Sequence, residues 1–171
     1  MTSSLQAFNT ALASWAYWMY KGFGDFTTTG GAAEGMFNDD STPQALKLKA
    51  ITQTYAYAFQ GTPEEMYFSP TSGSFYTSWI FDSSILAPTQ VYMNPSIWYP
   101  NGYKWTVSKT KSGTAIPAVT VKKTEDGHDL AFNFFDTLIE DNRSMEILIT
   151  QTLATLEGVI PATEEDLSIV Y

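Results

Sequence analysis

Glu65-Met66-Tyr67-Phe68-Ser69-Pro70-Thr71-Ser72-Gly73-Ser74-Phe75-Tyr76-Thr77-Ser78-Trp79-Ile80-Phe81 reads as one β-hairpin. Glu65–Phe68 is the outgoing strand, 69–73 the turn and Ser74–Phe81 the return strand. Proline presets φ for the second position of such a turn, and glycine accepts the positive φ that closes it. Further strands follow at intervals of about 8–12 residues, the spacing of an all-β sandwich. Thr89–Met93 is one. Past the turn Asn101-Gly102, Tyr103, Trp105 and Val107 face inward while Lys104, Thr106 and Ser108 face water. Val119 and Val121 alternate with Thr120 and Lys122. Leu130, Phe132 and Phe134 form another inward row, and Met145, Ile147 and Ile149 the last. Seven strands are expected between residues 65 and 152, which predicts a mostly β chain built on an immunoglobulin-like antiparallel β-sandwich.

Upstream the periodicity changes. Leu5, Phe8, Ala11 and Leu12 recur at spacings of three and four, so residues 1–13 are expected to be helical with those four on one face. Ser14–Lys21 is dense in Trp and Tyr and is predicted to be a strand. Residues 22–42, rich in Gly and Thr, are a loop. Thr42-Pro43 is expected to open a second helix, with Thr as the N-cap and Pro at its first position, fading near Tyr55. The acidic tail 153–171 ends in Leu167, Ile169 and Val170.

Composition bounds the chemistry. The chain has 171 residues, 44% of them hydrophobic and 15% aromatic, which is enough apolar material for a core. It is too short for a complete eight-stranded α/β barrel of about 250 residues. With 18 acidic and 9 basic side chains the net charge is -9, and the basic residues are scattered. That field repels phosphates, so no nucleic-acid partner is expected, and an anionic membrane surface is disfavoured. The absence of cysteine removes disulfides and thiolate chemistry. No stretch approaches the 18 apolar residues of a membrane span. The N-terminus lacks the charged and apolar regions of a signal peptide. One sequon is present, Asn142-Arg143-Ser144.

Candidate reactive groups are few. The single histidine, His128, lies in Glu125-Asp126-Gly127-His128-Asp129, read as an exposed turn with no second His or Cys to complete a metal site. Carboxylate pairs occur at Asp39-Asp40, Glu64-Glu65 and Glu164-Glu165-Asp166, where solvated surface charge is the default reading. The aromatic segment around Trp15, Tyr17, Trp18 and Tyr20 is the better signal, because aromatic faces stack on the C–H faces of sugar rings.

Taken in order, several motifs resemble the C-terminal part of glycoside hydrolase family 5 enzymes of the endoglycoceramidase type. They are Ser14-Trp15-Ala16-Tyr17-Trp18-Met19-Tyr20-Lys21, the helix from Pro43, Gln53-Thr54-Tyr55-Ala56-Tyr57-Ala58-Phe59-Gln60-Gly61-Thr62-Pro63, and the Phe68-to-Phe75 turn. Pro88-Thr89-Gln90-Val91-Tyr92 and Tyr99-Pro100-Asn101-Gly102-Tyr103 extend the likeness, which covers about residues 5–152. The family signature has Arg at the position of Gln53 and Ala at that of Gln60.

The resemblance implies that residues 1–55 are the last strand and helices of a (β/α)8 barrel, 56–152 its C-terminal β-sandwich, and 153–171 a tail. It implies a substrate contact at Trp18, with Trp15 in that role should the strand register slip, and rim positions at Tyr20, Lys21 and the loop Gly22–Asp40. The family's two catalytic glutamates would fall upstream of Met1, so no catalytic residue is expected in the chain. No metal or cofactor is implied. The implied substrate is a glycosphingolipid or oligosaccharide, bound through the rest of the parent barrel, and the implied location is secreted or lysosomal. Two functional readings stand. In one, the chain is the C-terminal fragment of a retaining glycosidase, expected to be inactive alone. In the other, it is a non-catalytic carbohydrate- or lipid-binding or structural module, with Trp98 and Tyr99 as the expected exposed platform.

Overall fold

The computed structural model describes residues 2–18, 35–38, 40–109, 119–125, 127–134 and 144–152. Two helices come first: α1 (Thr2–Thr10) and α2 (Ala45–Ile51). Eight strands follow, β1 (Tyr55–Ala58), β2 (Gly61–Phe68), β3 (Phe75–Phe81), β4 (Thr89–Tyr92), β5 (Tyr103–Lys109), β6 (Val119–Lys123), β7 (Asp129–Phe134) and β8 (Ser144–Gln151), with the one-turn helix α3 (Pro95–Trp98) between β4 and β5.

The strands form two four-stranded antiparallel sheets, ordered β1-β4-β7-β6 and β2-β3-β8-β5. This is the expected two-layer sandwich. Lettered A to G from β2, the sheets read A-B-G-D and C-F-E, where the constant-type immunoglobulin order is A-B-E-D and C-F-G. The fifth and seventh strands have exchanged sheets, so both connections flanking the β6-β7 hairpin cross between layers.

Inward rows form the core. Phe75, Thr77, Trp79 and Phe81 of β3 face Val91, Leu130, Phe132 and Phe134 of the other layer, together with Met145, Ile147 and Ile149 of β8. A strand alternates faces with a period of two, so each row commits every second residue to the core. Four edge positions are handled locally. Pro63 sits in β2, an edge strand, beside a bulge between Pro63 and Glu65, where its missing N–H costs no central ladder bond. Lys122 and Lys123 lie on edge strand β6 and Lys104 on edge strand β5, which discourages edge-to-edge pairing.

The N-terminal expectations need correction. Residues 14–18 adopt no strand, and the remainder of the expected strand, with most of the loop, lies outside the described residues. A strand is held by its neighbours' hydrogen bonds, and no described strand pairs with this segment. α1 ends at Thr10, short of the expected residue 13; within it Leu5 and Asn9 are buried and Phe8 is exposed, and Leu12, beyond its end, is exposed as well. The buried stripe is 5/9 rather than the 5/8/11/12 face read from hydrophobicity, and α1 lies against β2. α2 is preceded by Gln44, not Thr42, and ends at Ile51; Thr42 instead takes Asp40 as its partner. β1 occupies the place where the helix was expected to fade, and the alternation Tyr55-Ala56-Tyr57-Ala58, with Ala56 buried, was its unread signal. Among the described residues, no helix is long and apolar enough to cross a membrane.

Candidate functional site

The segment expected to contact substrate is described only in part. Trp15 is half-buried and Trp18 is 63% exposed, by far the most open tryptophan among the described residues. An indole this open to water is disposed to meet a ligand or another surface. Tyr20 and Lys21 lie outside the described residues, as do Glu164, Glu165 and Asp166 of the acidic tail, Asp39 of the first carboxylate pair, and Asn142 of the sequon. Near the loop's end, Lys47 Nζ donates to the Gly35 carbonyl at 2.9 Å and the Gln44 amide N–H to the Met36 carbonyl at 2.8 Å. The stretch 35–38 is thereby tied to α2.

Four of the described carboxylates, Asp40, Asp82, Glu64 and Glu146, are engaged in hydroxyl contacts. Asp40 accepts from the Thr42 N–H and hydroxyl, and Asp82 from those of Ser84; both pairs of bonds hold the acid below the usual carboxylate range. Glu64 accepts from Ser144. Glu146 accepts from Ser108 at 2.5 Å and from Tyr76 at 3.3 Å. These contacts brace turns and the outer face of a sheet. Among the described residues, no group of three or more His, Cys, Asp or Glu could hold a metal ion. His128 is half-buried rather than exposed: its Nδ1–H donates to the Met93 carbonyl at 3.2 Å and its ring stacks 6.1 Å from Tyr92.

Trp98 and Tyr99 do not form an exposed platform. Each is only 2% exposed. Asn94 caps α3 by accepting the Ile97 N–H, Pro95 opens the turn, and the turn rolls both rings under the sandwich. Trp98 packs edge-on against Phe68 at 4.7 Å, with Lys49 Nζ 4.8 Å above its ring. The Asn94-Pro95 pair was the sequence signal for this helix start.

Two buried polar contacts hold the link between α2 and β1, at Gln53 and Thr54. Asn9 Nδ2 donates to Gln53 Oε1 at 3.0 Å inside the protein, and Gln53 Nε2 donates to the Ala50 carbonyl at 3.0 Å. Gln53 thus holds α1 to the end of α2 with an amide. Tyr99 is the second junction. Its hydroxyl donates to the Gly73 carbonyl at 2.9 Å, so Thr54 Oγ1, 2.7 Å away, donates to the Tyr99 oxygen. Burial pushes the Tyr99 phenol up to about 12, partly offset by the Thr54 bond.

The pH consequence has a definite sign. The unfolded tyrosine ionises near pH 10 and the folded one only near 12, so stability is intact below pH 10 and falls between 10 and 12. This one group is expected to withdraw on the order of 3 kcal/mol across that window. Urea unfolding of Tyr99→Phe at pH 8 and pH 11.5 checks it. The variant should be less stable at pH 8, having lost a buried bond, and its decline to pH 11.5 should be shallower than that of the parent. An equal decline in both proteins would assign the alkaline loss to other tyrosines, such as Tyr55 and Tyr103, which burial also raises.

Comparison with known proteins places these features in a family context. Residues 53–130 match the model of the glycoside hydrolase family 5 C-terminal domain. No curated protein sequence matches the chain. A solved structure of endo-glycoceramidase II from Rhodococcus sp. with a five-membered iminocyclitol is similar, at 15% identity and a TM-score of 0.60, over 89% of this chain and 29% of that one. The lactosyl-enzyme intermediate of that protein gives 16% identity, a TM-score of 0.60 and the same coverage. Its ganglioside GM3 complex gives 18% identity and a TM-score of 0.50 over 70% of this chain and 23% of that one. The chain therefore spans less than a third of the length of these structures.

Proposed function

We propose, from the premise that residues 53–130 are a glycoside hydrolase family 5 C-terminal domain, that this chain is the C-terminal part of an endoglycoceramidase-like retaining glycosidase. One observation carries the reading. The structural likeness to endo-glycoceramidase II extends over 89% of the chain, well beyond the 53–130 domain and therefore into the segment that precedes it. Endo-glycoceramidase II is known as a lactosyl-enzyme intermediate and in a ganglioside GM3 complex, which supports a glycolipid as the substrate class of the whole enzyme.

In that reading the complete enzyme hydrolyses the O-glycosidic bond between an oligosaccharide and ceramide. A glutamic acid gives its proton to the leaving ceramide oxygen while a second glutamate attacks the anomeric carbon, forming a glycosyl-enzyme ester. Water, deprotonated by the first residue, then releases the sugar and regenerates both groups. The two carboxyls stand about 5 Å apart, as retention demands. Neither is assigned to this chain. Its contribution is the Trp18 indole, set against the sugar next to the cleaved bond, and the sandwich on which the last helices rest. A secreted or lysosomal location belongs to the same proposal.

The 171-residue chain alone is expected to release no oligosaccharide from a fluorescent glycosphingolipid. A fusion that supplies a family 5 barrel upstream is expected to do so. In that fusion Trp18→Ala should lower kcat/KM roughly tenfold, the scale of one lost aromatic stacking contact. Cleavage by the purified chain alone would sink the assignment of catalysis to residues outside it.

A further inference from the structure

We propose that the outer face of the β1-β4-β7-β6 sheet is a binding platform for a neutral oligosaccharide. The choice of ligand rests on the glycosidase reading; the site rests on the geometry of this face.

An unbroken row of rings crosses the face. Tyr57 and Tyr55 lie 6.2 Å apart, Tyr55 and Tyr92 5.1 Å, and Tyr92 and His128 6.1 Å. The Tyr92 and His128 rings are stacked with planes 20° apart, while the Tyr55 plane is tilted 33° from that of Tyr92. Strand register produces the row: Tyr55 stands opposite Tyr92, and Tyr92 opposite Asp129. The inward neighbours Ala56 and Val91 are buried, so Tyr55, Tyr57 and Tyr92 face outward by strand alternation, and His128 meets Tyr92 from the turn before β7. Tyr57 is 49% exposed, and Tyr55, Tyr92 and His128 are half-buried. α1 lies against β2, an edge strand of the other sheet.

Beside the rings, Ala131 stands between Gln90 of β4 and Lys122 of β6. A methyl group there leaves a low floor, bounded by an amide, an ammonium and the Asp129 carboxylate. A sugar ring has the matching chemistry. Its C–H face lies on an aromatic π face while its hydroxyl edge needs both donors and acceptors at the side. The paired signs of Asp129 and Lys122, in a chain of net charge -9, favour a neutral sugar over an anionic one.

Isothermal titration of the 171-residue chain with a neutral β-linked glucose tetrasaccharide tests this. Saturable binding is expected, weakened at least tenfold by Tyr92→Ala and severalfold by Tyr57→Ala. Tyr67→Ala is the control, since Tyr67 is 46% exposed but lies on β2 in the other sheet, and it should leave the affinity unchanged. Tyr57 is exposed enough for its variant to keep the fold, so the test stands even if Tyr92→Ala does not fold. No saturable binding, or an equal loss in Tyr67→Ala, would overturn the platform. Binding is read without hydrolysis. Its failure therefore leaves the glycosidase reading intact, and binding by the chain combined with a barrel fusion that releases no sugar would keep the platform and remove that reading.

Discussion

Gly61→Ala is expected to destabilise the chain by at least about 3 kcal/mol, read as a urea midpoint lowered by about 1–3 M. Gly61 opens β2 with φ +142°, a backbone region that L side chains rarely occupy. A Cβ built there would stand 1.8 Å from the Ile80 carbonyl oxygen and 2.8 Å from its carbon. No rotamer change relieves that contact, because both atoms are backbone. Gly61 also pairs with Phe81 and its neighbour Thr62 with Ile80, so the strands would have to part at the start of the β2-β3 ladder. Gly102→Ala separates strain from collision. Gly102 has φ +91°, but its added Cβ would meet only Thr152, at 3.6 Å. That variant should cost about 1–2 kcal/mol, the strain alone. Equal losses at the two glycines would show that backbone conformation, not the collision with Ile80, governs position 61.

The contrast between these glycines also shows what a sequence conceals. Gly61-Thr62-Pro63 was legible as a breaker and as part of a family signature. That it begins a strand was not, because Pro63 argues against a strand unless the strand is an edge and carries a bulge. The seven strands from Glu65 onward were readable since the inward rows repeat with period two, and β7 and β8 bury the rows assigned to them. Tyr55–Ala58 alternates equally well, but it is four residues long and follows a helix directly, so the period had too few repeats to win.

Side-chain placement was harder than element type. Trp98 and Tyr99 look like loop aromatics beside Pro100; one turn of helix, fixed by the Asn94 cap, decides that they are buried. Tyr55, Tyr57 and Tyr92 gave no signal as a group, since they lie 37 positions apart at the extremes and meet only through the β1-β4 register. Asn9 and Gln53 are joined across 44 positions by a buried hydrogen bond between their side-chain amides, equally hidden in the sequence. Periodicity reports which face of an element is buried. It carries no information about which elements become neighbours, and the candidate platform is made of neighbours.

Trp79→Ala is expected to cost about 3–5 kcal/mol, a large share of the roughly 5–15 kcal/mol available to a domain. Trp79 is fully buried on β3, a central strand of its sheet. Its ring meets Phe134 of β7 in the opposite layer at 5.4 Å and 61°, and Phe59 of the β1-β2 turn at 6.2 Å. One side chain thus links both sheets and the turn that leads into Gly61. Truncation leaves a cavity with walls from three elements, which cannot close without moving a sheet. Trp79→Phe should behave differently. The indole Nε1 is buried and makes no hydrogen bond to a described residue, so exchanging it for carbon forfeits none of those bonds. Phenylalanine loses part of the ring volume but removes that donor, and the net loss should stay below about 1.5 kcal/mol. Thermal and urea unfolding of the two variants, compared at one pH, measure the difference. A Trp79→Phe protein as unstable as Trp79→Ala would show that the second ring of the indole, rather than aromatic contact with Phe134, holds the two layers together.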